Sequence, residues 1–313
     1  MTDSDIDGLY ESEQVRDRRR IAKRLIFGAI AIMALVEIAT FVSRDQTATR
    51  DAIPQTFYGA AGSDGPNYVE VGARVVEVSA VSAIQNVRLT IVPHGDFANP
   101  DGSLKQTINL DADGYAGGSI NLAGGEIPPP VQLALDLDGD LSQYPFDTYS
   151  SALTVRLTTV VKEGATVTKL SDVVPMRLVI SARQHDWVTT SSRNDAGADD
   201  GSIAVNLNVQ RGTATRGFAL FELIVMISLA VIAVAITYAA LVTDRPLEFS
   251  LFVWLGAMLF ALPAIRNTMP GIPGVGTILD FAGFFWCLIA VAACLITAAI
   301  TYIRGSLRSH HTR

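Results

Sequence analysis

Three carboxylates in this 313-residue chain stand inside apolar runs, where a charge is costly unless it meets a partner. Glu37 lies near the end of Leu25–Val42, Glu222 near the start of Gly217–Val242, and Asp280 at the start of Ile278–Ile303. At the helical rise per residue, Glu37 and Glu222 sit roughly 7–8 Å inside their spans. Arg216 and Arg266 flank the same ends. Two readings fit this pattern. Either the acids are hydrated at an interface, or Glu37, Glu222 and Asp280 converge with Arg216 or Arg266 in one intramembrane polar cluster. Such a cluster would orient the helices and offer a site to a cation or to a partner's basic side chain.

A second constellation is Gly139-Asp140-Leu141-Ser142-Gln143-Tyr144-Pro145-Phe146-Asp147-Thr148-Tyr149. Pro145 fixes its own φ and drives Tyr144 into extended geometry. Asp147 can accept hydrogen bonds from the backbone amides of a turn, and Tyr144, Phe146 and Tyr149 carry large rings to bury. The motif is either a turn that stabilises its domain or a contact that couples that domain to the apolar spans. Phe146 separates the two readings: it packs in the base of the domain in the first and docks on the span connection in the second.

Chemistry of other kinds has little support. No Gly-x-Ser-x-Gly, His-Glu-x-x-His or phosphate-binding glycine loop occurs. His94-Gly95-Asp96 and His185-Asp186-Trp187 place a carboxylate beside an imidazole, a pairing common in surface turns. Two acidic runs, Asp111–Gly114 and Asp136–Asp140, begin like calcium loops but reach Leu122 and Asp147 where the twelfth-position Glu should stand. Both read as turns. Cys287 and Cys294 are seven residues apart on one helix face and read as packing residues. No catalytic residue, metal site or cofactor is expected, and the chain is not expected to be an enzyme.

The elements that must position these residues follow from hydropathy. The chain is 49% hydrophobic and 18% charged, and its apolar runs form a 1 + 3 pattern: residues 25–42, then 217–242, 249–265 and 278–303. A bilayer-crossing helix needs about 20 such residues, with a range of about 17–25. Arginines cluster at Arg16–Arg24 and at Arg304–Arg313, so both termini are expected in the cytoplasm. Residues 1–24 then form a cytoplasmic basic tail, partly disordered, 304–313 a short cytoplasmic tail, and 43–216 an extracytoplasmic domain. The core of the first span is too long for a secretory signal, and Ser43-Arg44-Asp45-Gln46 offers no small-residue cleavage site. An uncleaved anchor is expected. The net charge of −7 argues against nucleic acid.

The 43–216 segment reads as β structure. Tyr68–Val78, Val87–Val92, Val131–Leu137, Ala152–Val160, Met176–Ile180 and Ile203–Val209 are short runs rich in alternating apolar residues. Gly, Asp, Asn and Pro clusters separate them, and Ser191–Ser202 reads as a loop. The expected fold is an all-β antiparallel sandwich of about seven to nine strands, followed and preceded by transmembrane α-helices, four in total.

With Gly139 and Tyr144-Pro145-Phe146-Asp147 in place, the chain resembles the DUF4436 family of uncharacterised bacterial membrane proteins. The likeness extends over the single N-terminal span, the cysteine-free β domain and the three-span end, and it implies no assigned activity. The same turn is similar to the Phe-Pro-Phe-Asp segment of pentameric ligand-gated channels. Arg266–Asp280 is similar to the linker between the second and third membrane helices of those channels, which implies that Tyr144–Tyr149 lies near Arg266–Asp280. The span Phe249–Ile265 departs from a pore wall, because it is apolar throughout except for Ser250.

The expected protein is therefore a multi-pass protein of the inner or plasma membrane, acting as a structural, sensing or partner-binding module. A channel-like, ligand-responsive oligomer is the alternative. Its partners are the lipid bilayer and either an envelope protein or further copies of the chain.

Overall fold

The computed structural model describes residues 54–59, 63–163, 167–182, 186–194, 201–242 and 248–311. The expected first span, both tail arginine clusters except Arg304 and Arg308, and Glu37 and His185 lie outside these residues.

Twelve strands form the β domain among the described residues: β1 (Gln55–Tyr58), β2 (Val69–Ser79), β3 (Ile84–Pro93), β4 (Ile108–Ala112), β5 (Ser119–Leu122), β6 (Val131–Asp136), β7 (Asp138–Gly139), β8 (Thr148–Glu163), β9 (Val167–Val173), β10 (Met176–Ala182), β11 (Trp187–Asn194) and β12 (Ile203–Arg211). They build two sheets, one ordered β1-β10-β2-β3-β6 and the other β11-β12-β8-β4-β5, with β7 and β9 also paired to β8. Alternation explains the layering. In β6, Val131, Leu133 and Leu135 point inward while Gln132, Ala134 and Asp136 are exposed, which is the period-2 pattern of a sheet with one wet face. The inward residues of both sheets, Val71, Leu89, Leu133, Leu157, Leu178 and Leu207 among them, make one core.

Two expectations need correction. The sandwich is not wholly antiparallel, since β10 runs parallel to β2 from Met176↔Val69 to Ala182↔Val75. A parallel neighbour requires a long crossover, and the chain between β2 and β10 supplies β3 and β6 of the same sheet and β4, β5, β7, β8 and β9 of the other. The reading of Ser191–Ser202 as a loop also fails at its start. Ser191–Asn194 continues β11, with Ser191 paired to Leu207 and Asn194 to Ala204. These polar residues lie on an outer strand, where backbone pairing needs no apolar side chain.

The helical part has three helices long and apolar enough to cross a membrane. They are α1 (Thr213–Val242), α2 (Phe249–Thr268) and α3 (Phe285–His311), the last preceded by a π-turn at Asp280–Phe284. β12 runs into α1 with only Gly212 between them, so the sheet and the first helix share one backbone. Inside the bundle, Ala219, Met226, Ala230 and Ala233 of α1 meet Leu255 and Leu262 of α2 and Val291 and Ala298 of α3.

Candidate functional site

Where the sandwich meets the helices, the chain buries an ion pair. Arg211, the last residue of β12, directs its Nε to both carboxylate oxygens of Asp147 at 3.0 Å. Neither side chain is more than 2% exposed. The Tyr149 hydroxyl donates to the same carboxylate at 2.7 Å. The guanidinium also lies 4.8 Å from the Tyr144 ring centre and 4.4 Å from that of Trp187. Trp187 packs edge-on against Tyr149. Burying two charges is expensive, and the Arg–carboxylate geometry and the aromatic faces around it offset that cost.

This network touches the helix connection directly. The Tyr144 hydroxyl donates to the Pro270 carbonyl at 3.0 Å, across 126 residues of sequence. Gly271, at φ +58°, lies so close to Arg211 that a Cβ there would stand 2.5 Å from Nη1. A glycine is needed for the backbone conformation and for the close approach. Burial pushes the Tyr144 phenol up to about 12, and the Tyr149 phenol is raised for the same reason, helped by its bond to Asp147.

Locally, the motif folds as a capped turn. Asp140 accepts from the Ser142 amide at 2.9 Å and from its hydroxyl at 2.8 Å, starting the short 3-10 turn Leu141–Gln143. The Ser142 bonds hold the Asp140 carboxyl below its usual range. The Tyr144–Pro145 peptide is cis. Tyr144 is the fully buried ring, whereas Phe146 is 53% exposed. The reading that puts Phe146 in the base of the sandwich is therefore corrected. Residues two apart in a tight turn direct their rings differently, and Tyr144 takes the core side because its hydroxyl finds Pro270. Phe146 instead lies 6.0 Å from the Arg216 guanidinium.

Of the five charged residues considered for one cluster, Glu37 lies outside the described residues and the other four are divided. Arg266 pairs with Asp280 through Nε at 3.0 Å and Nη2 at 2.9 Å, and also donates to the carbonyls of Pro273 and Gly274. Asp280 further accepts from the Gly276 amide and from the Thr277 amide and hydroxyl. Glu222 is held by Thr268 at 3.0 Å, and its second oxygen is buried without a hydrogen-bond partner among the described residues. Arg216 donates to Gln210 at 3.3 Å. Cys287 and Cys294 are buried free thiols in the helix core.

The two acidic runs, unremarkable singly, meet in space. Asp113, Asp136, Asp138, Ser150, Asn206 and Asn208 line a cleft of about 740 Å³ on the β domain. Asp113 is fixed by the Thr154 amide at 3.0 Å, and the Ala134 amide holds the Gly114 carbonyl at 2.9 Å. The short strand β7 brings in the second run, pairing Asp138 with Ser150 and Gly139 with Tyr149. No basic side chain lines the cleft among the described residues, so three carboxylates leave it electronegative. Among those residues no group of His, Cys, Asp or Glu converges closely enough to hold a metal ion.

Sequence reasoning did not find Arg211, which reads there as an isolated flanking arginine, nor Trp187, which reads as part of a surface turn. A usable signal was Arg211 standing at the last inward position of β12, where a cation needs a buried partner.

Fold and junction define a protein of two joined parts, a β-sandwich seated on a bundle of membrane-type helices. Residues 59–209 match the family described as Domain of unknown function (DUF4436), and residues 211–305 match Domain of unknown function (DUF8686). The β domain is thus the part of the chain that is similar to DUF4436. That match ends before the helices, so the family likeness covers less of the chain than its layout implied. No curated protein matches the chain. The division between the two families falls within the buried pair: Asp147 belongs to the first match and Arg211 to the second.

Proposed function

We propose that the protein is a membrane-anchored sensing module whose outer cleft binds a small cationic, hydrogen-bonding ligand and whose junction passes the bound state to the helices. The carrying observation is one strand pair. β7 and its partner residues on β8 line the cleft with Asp138 and Ser150, and the next pair, Gly139 and Tyr149, leads through Tyr149 into the Asp147–Arg211 pair. A ligand that shifts β7 acts directly on the residues that hold Pro270 and Gly271. Arginine clusters beyond both ends of the apolar runs support cytoplasmic termini and a β domain outside the inner or plasma membrane.

The channel-like alternative has weaker support, because the exposed face of α2, with Phe249, Val253 and Phe260, is apolar. Ion paths are lined by carbonyls or by polar and charged side chains.

The test uses the full chain in nanodiscs with spermidine, choline and arginine as cationic probes. At least one should raise the melting temperature and slow hydrogen exchange in residues 266–280, and Asp136→Asn with Asp138→Asn should abolish both effects. If no probe acts, or if the effect survives the double substitution, the reading is wrong.

A further inference from the structure

An apolar groove of about 490 Å³ runs between α1 and α3, with no α2 residue among its described walls. Ala230, Ala235, Ala282, Gly283, Cys287 and Ala290 are among its walls. Gly283 sits close enough to Leu223 that a Cβ would stand 2.2 Å from the Leu223 Cδ1, so the two helices approach tightly at its upper end. Small side chains in a membrane helix surface let another backbone come near.

We propose that the chain's own segment Leu25–Val42 occupies this groove, antiparallel to α1 and α3, with Glu37 paired to Arg216. Four features of the chain support this occupant. As a helix its 18 residues span about 27 Å, enough to follow the groove. Ile26, Ile30, Met33, Ala34 and Glu37 recur at helical spacing and share one face, so three bulky apolar groups are available to a groove whose walls are in part small.

Connectivity agrees. Val42 is followed by a short connector to β1, and the outer domain ends at α1, so the end of the segment at Val42 and the start of α1 face the same domain. The connector, residues 43–54, reaches up to roughly 40 Å when extended.

Charge selects the partner. A carboxylate at the depth of Glu37 needs a cation. Arg266 is bound by Asp280 and Arg211 by Asp147. Arg216 stands three helical turns above Ile227, a groove residue, on the same face of α1. Its Nε is buried with no hydrogen-bond partner among the described residues.

The inference is independent of the cleft and its ligand. The test is disulfide formation in native membranes, using the full chain with Cys294→Ser, native Cys287, and a protease site within residues 43–53. Met33→Cys and Ile30→Cys lie on the proposed face at the depth of Cys287, and Ile32→Cys, between them, points away. After oxidation and cleavage, the first two should keep the N-terminal fragment joined to its own chain on non-reducing gels, and Ile32→Cys should not. Arg216→Glu should lower the yield several-fold, and Glu37→Arg in that background should restore it. A cross-link found only between differently tagged copies would assign the groove to a second copy. No cross-link from either position, or equal yields from all three, would also overturn the proposal.

Discussion

Two Arg–Asp pairs are buried among the described residues, and they hold the protein together in different ways. Arg266 and Asp280 are 14 residues apart and close the link between α2 and α3, with carbonyls and amides of that same link completing their bonds. Arg211 and Asp147 are 64 residues apart, and side chains surround them: Tyr149, Tyr144 and Trp187. The first pair is embedded in backbone and shapes one loop. The second is embedded in side chains from several strands and bears on another domain. A pair wrapped by its own loop retains partners when one member is lost, whereas a pair wrapped by distant side chains does not.

The largest expected effect tests that contrast. Arg211→Met leaves Asp147 buried with only the Tyr149 hydroxyl and should cost about 3–5 kcal/mol, as for other broken buried pairs. Arg266→Met leaves Asp280 with three donors from Gly276 and Thr277 and should cost less, about 1–3 kcal/mol. Denaturant unfolding of the full chain in nanodiscs measures both, and equal losses would break the comparison. Adding Asp147→Leu to Arg211→Met should recover part of the loss, because no unpaired charge then remains.

Next in size is Gly271→Ala, which meets both a positive φ and the Arg211 guanidinium. It should cost about 1–3 kcal/mol. Gly274 lies in the same link with open space around its Cβ position, and Gly274→Ala should change stability by no more than about 0.5 kcal/mol. Equal effects would show that the approach to Arg211 is not what constrains this link.

Tyr144→Phe removes only the bond to Pro270 and should cost about 0.5–1.5 kcal/mol. It also carries a pH signature. The Tyr144 phenol is raised from 10.0 to about 12 in the folded chain. Its stabilising contribution is therefore complete below about pH 10 and is lost as pH rises towards 12, where the unfolded chain ionises first. Melting temperature followed from pH 8 to 12 should fall less steeply in Tyr144→Phe than in wild type. An identical slope would place the alkaline loss elsewhere, on Tyr149 first.

Phe146→Ala should have the smallest effect, within about 0.5 kcal/mol, since the ring is half exposed. A loss of several kcal/mol in the same unfolding assay would mean that Phe146, not Tyr144, anchors the junction.

Periodicity and composition were legible in the residues alone. Alternation in Val131–Leu137 determined a strand with one buried face, observed over Val131–Asp136, and the apolar runs at 217–242 and 249–265 located two helices to within a few residues of their observed ends. Both are local properties, because a strand or helix presents its pattern along its own length. That Tyr144-Pro145-Phe146-Asp147 forms a turn with large rings to bury was legible too, but not which ring is buried. That choice depends on the Pro270 carbonyl, which reaches Tyr144 only after the helices have packed. The parallel pairing of β10 with β2, the meeting of Asp113 with Asp136 and Asp138, and the selection of Arg211 as the partner of Asp147 were likewise decided by the tertiary structure. Each joins residues distant in sequence, and a charge carries no mark of its partner until the fold closes off water around both.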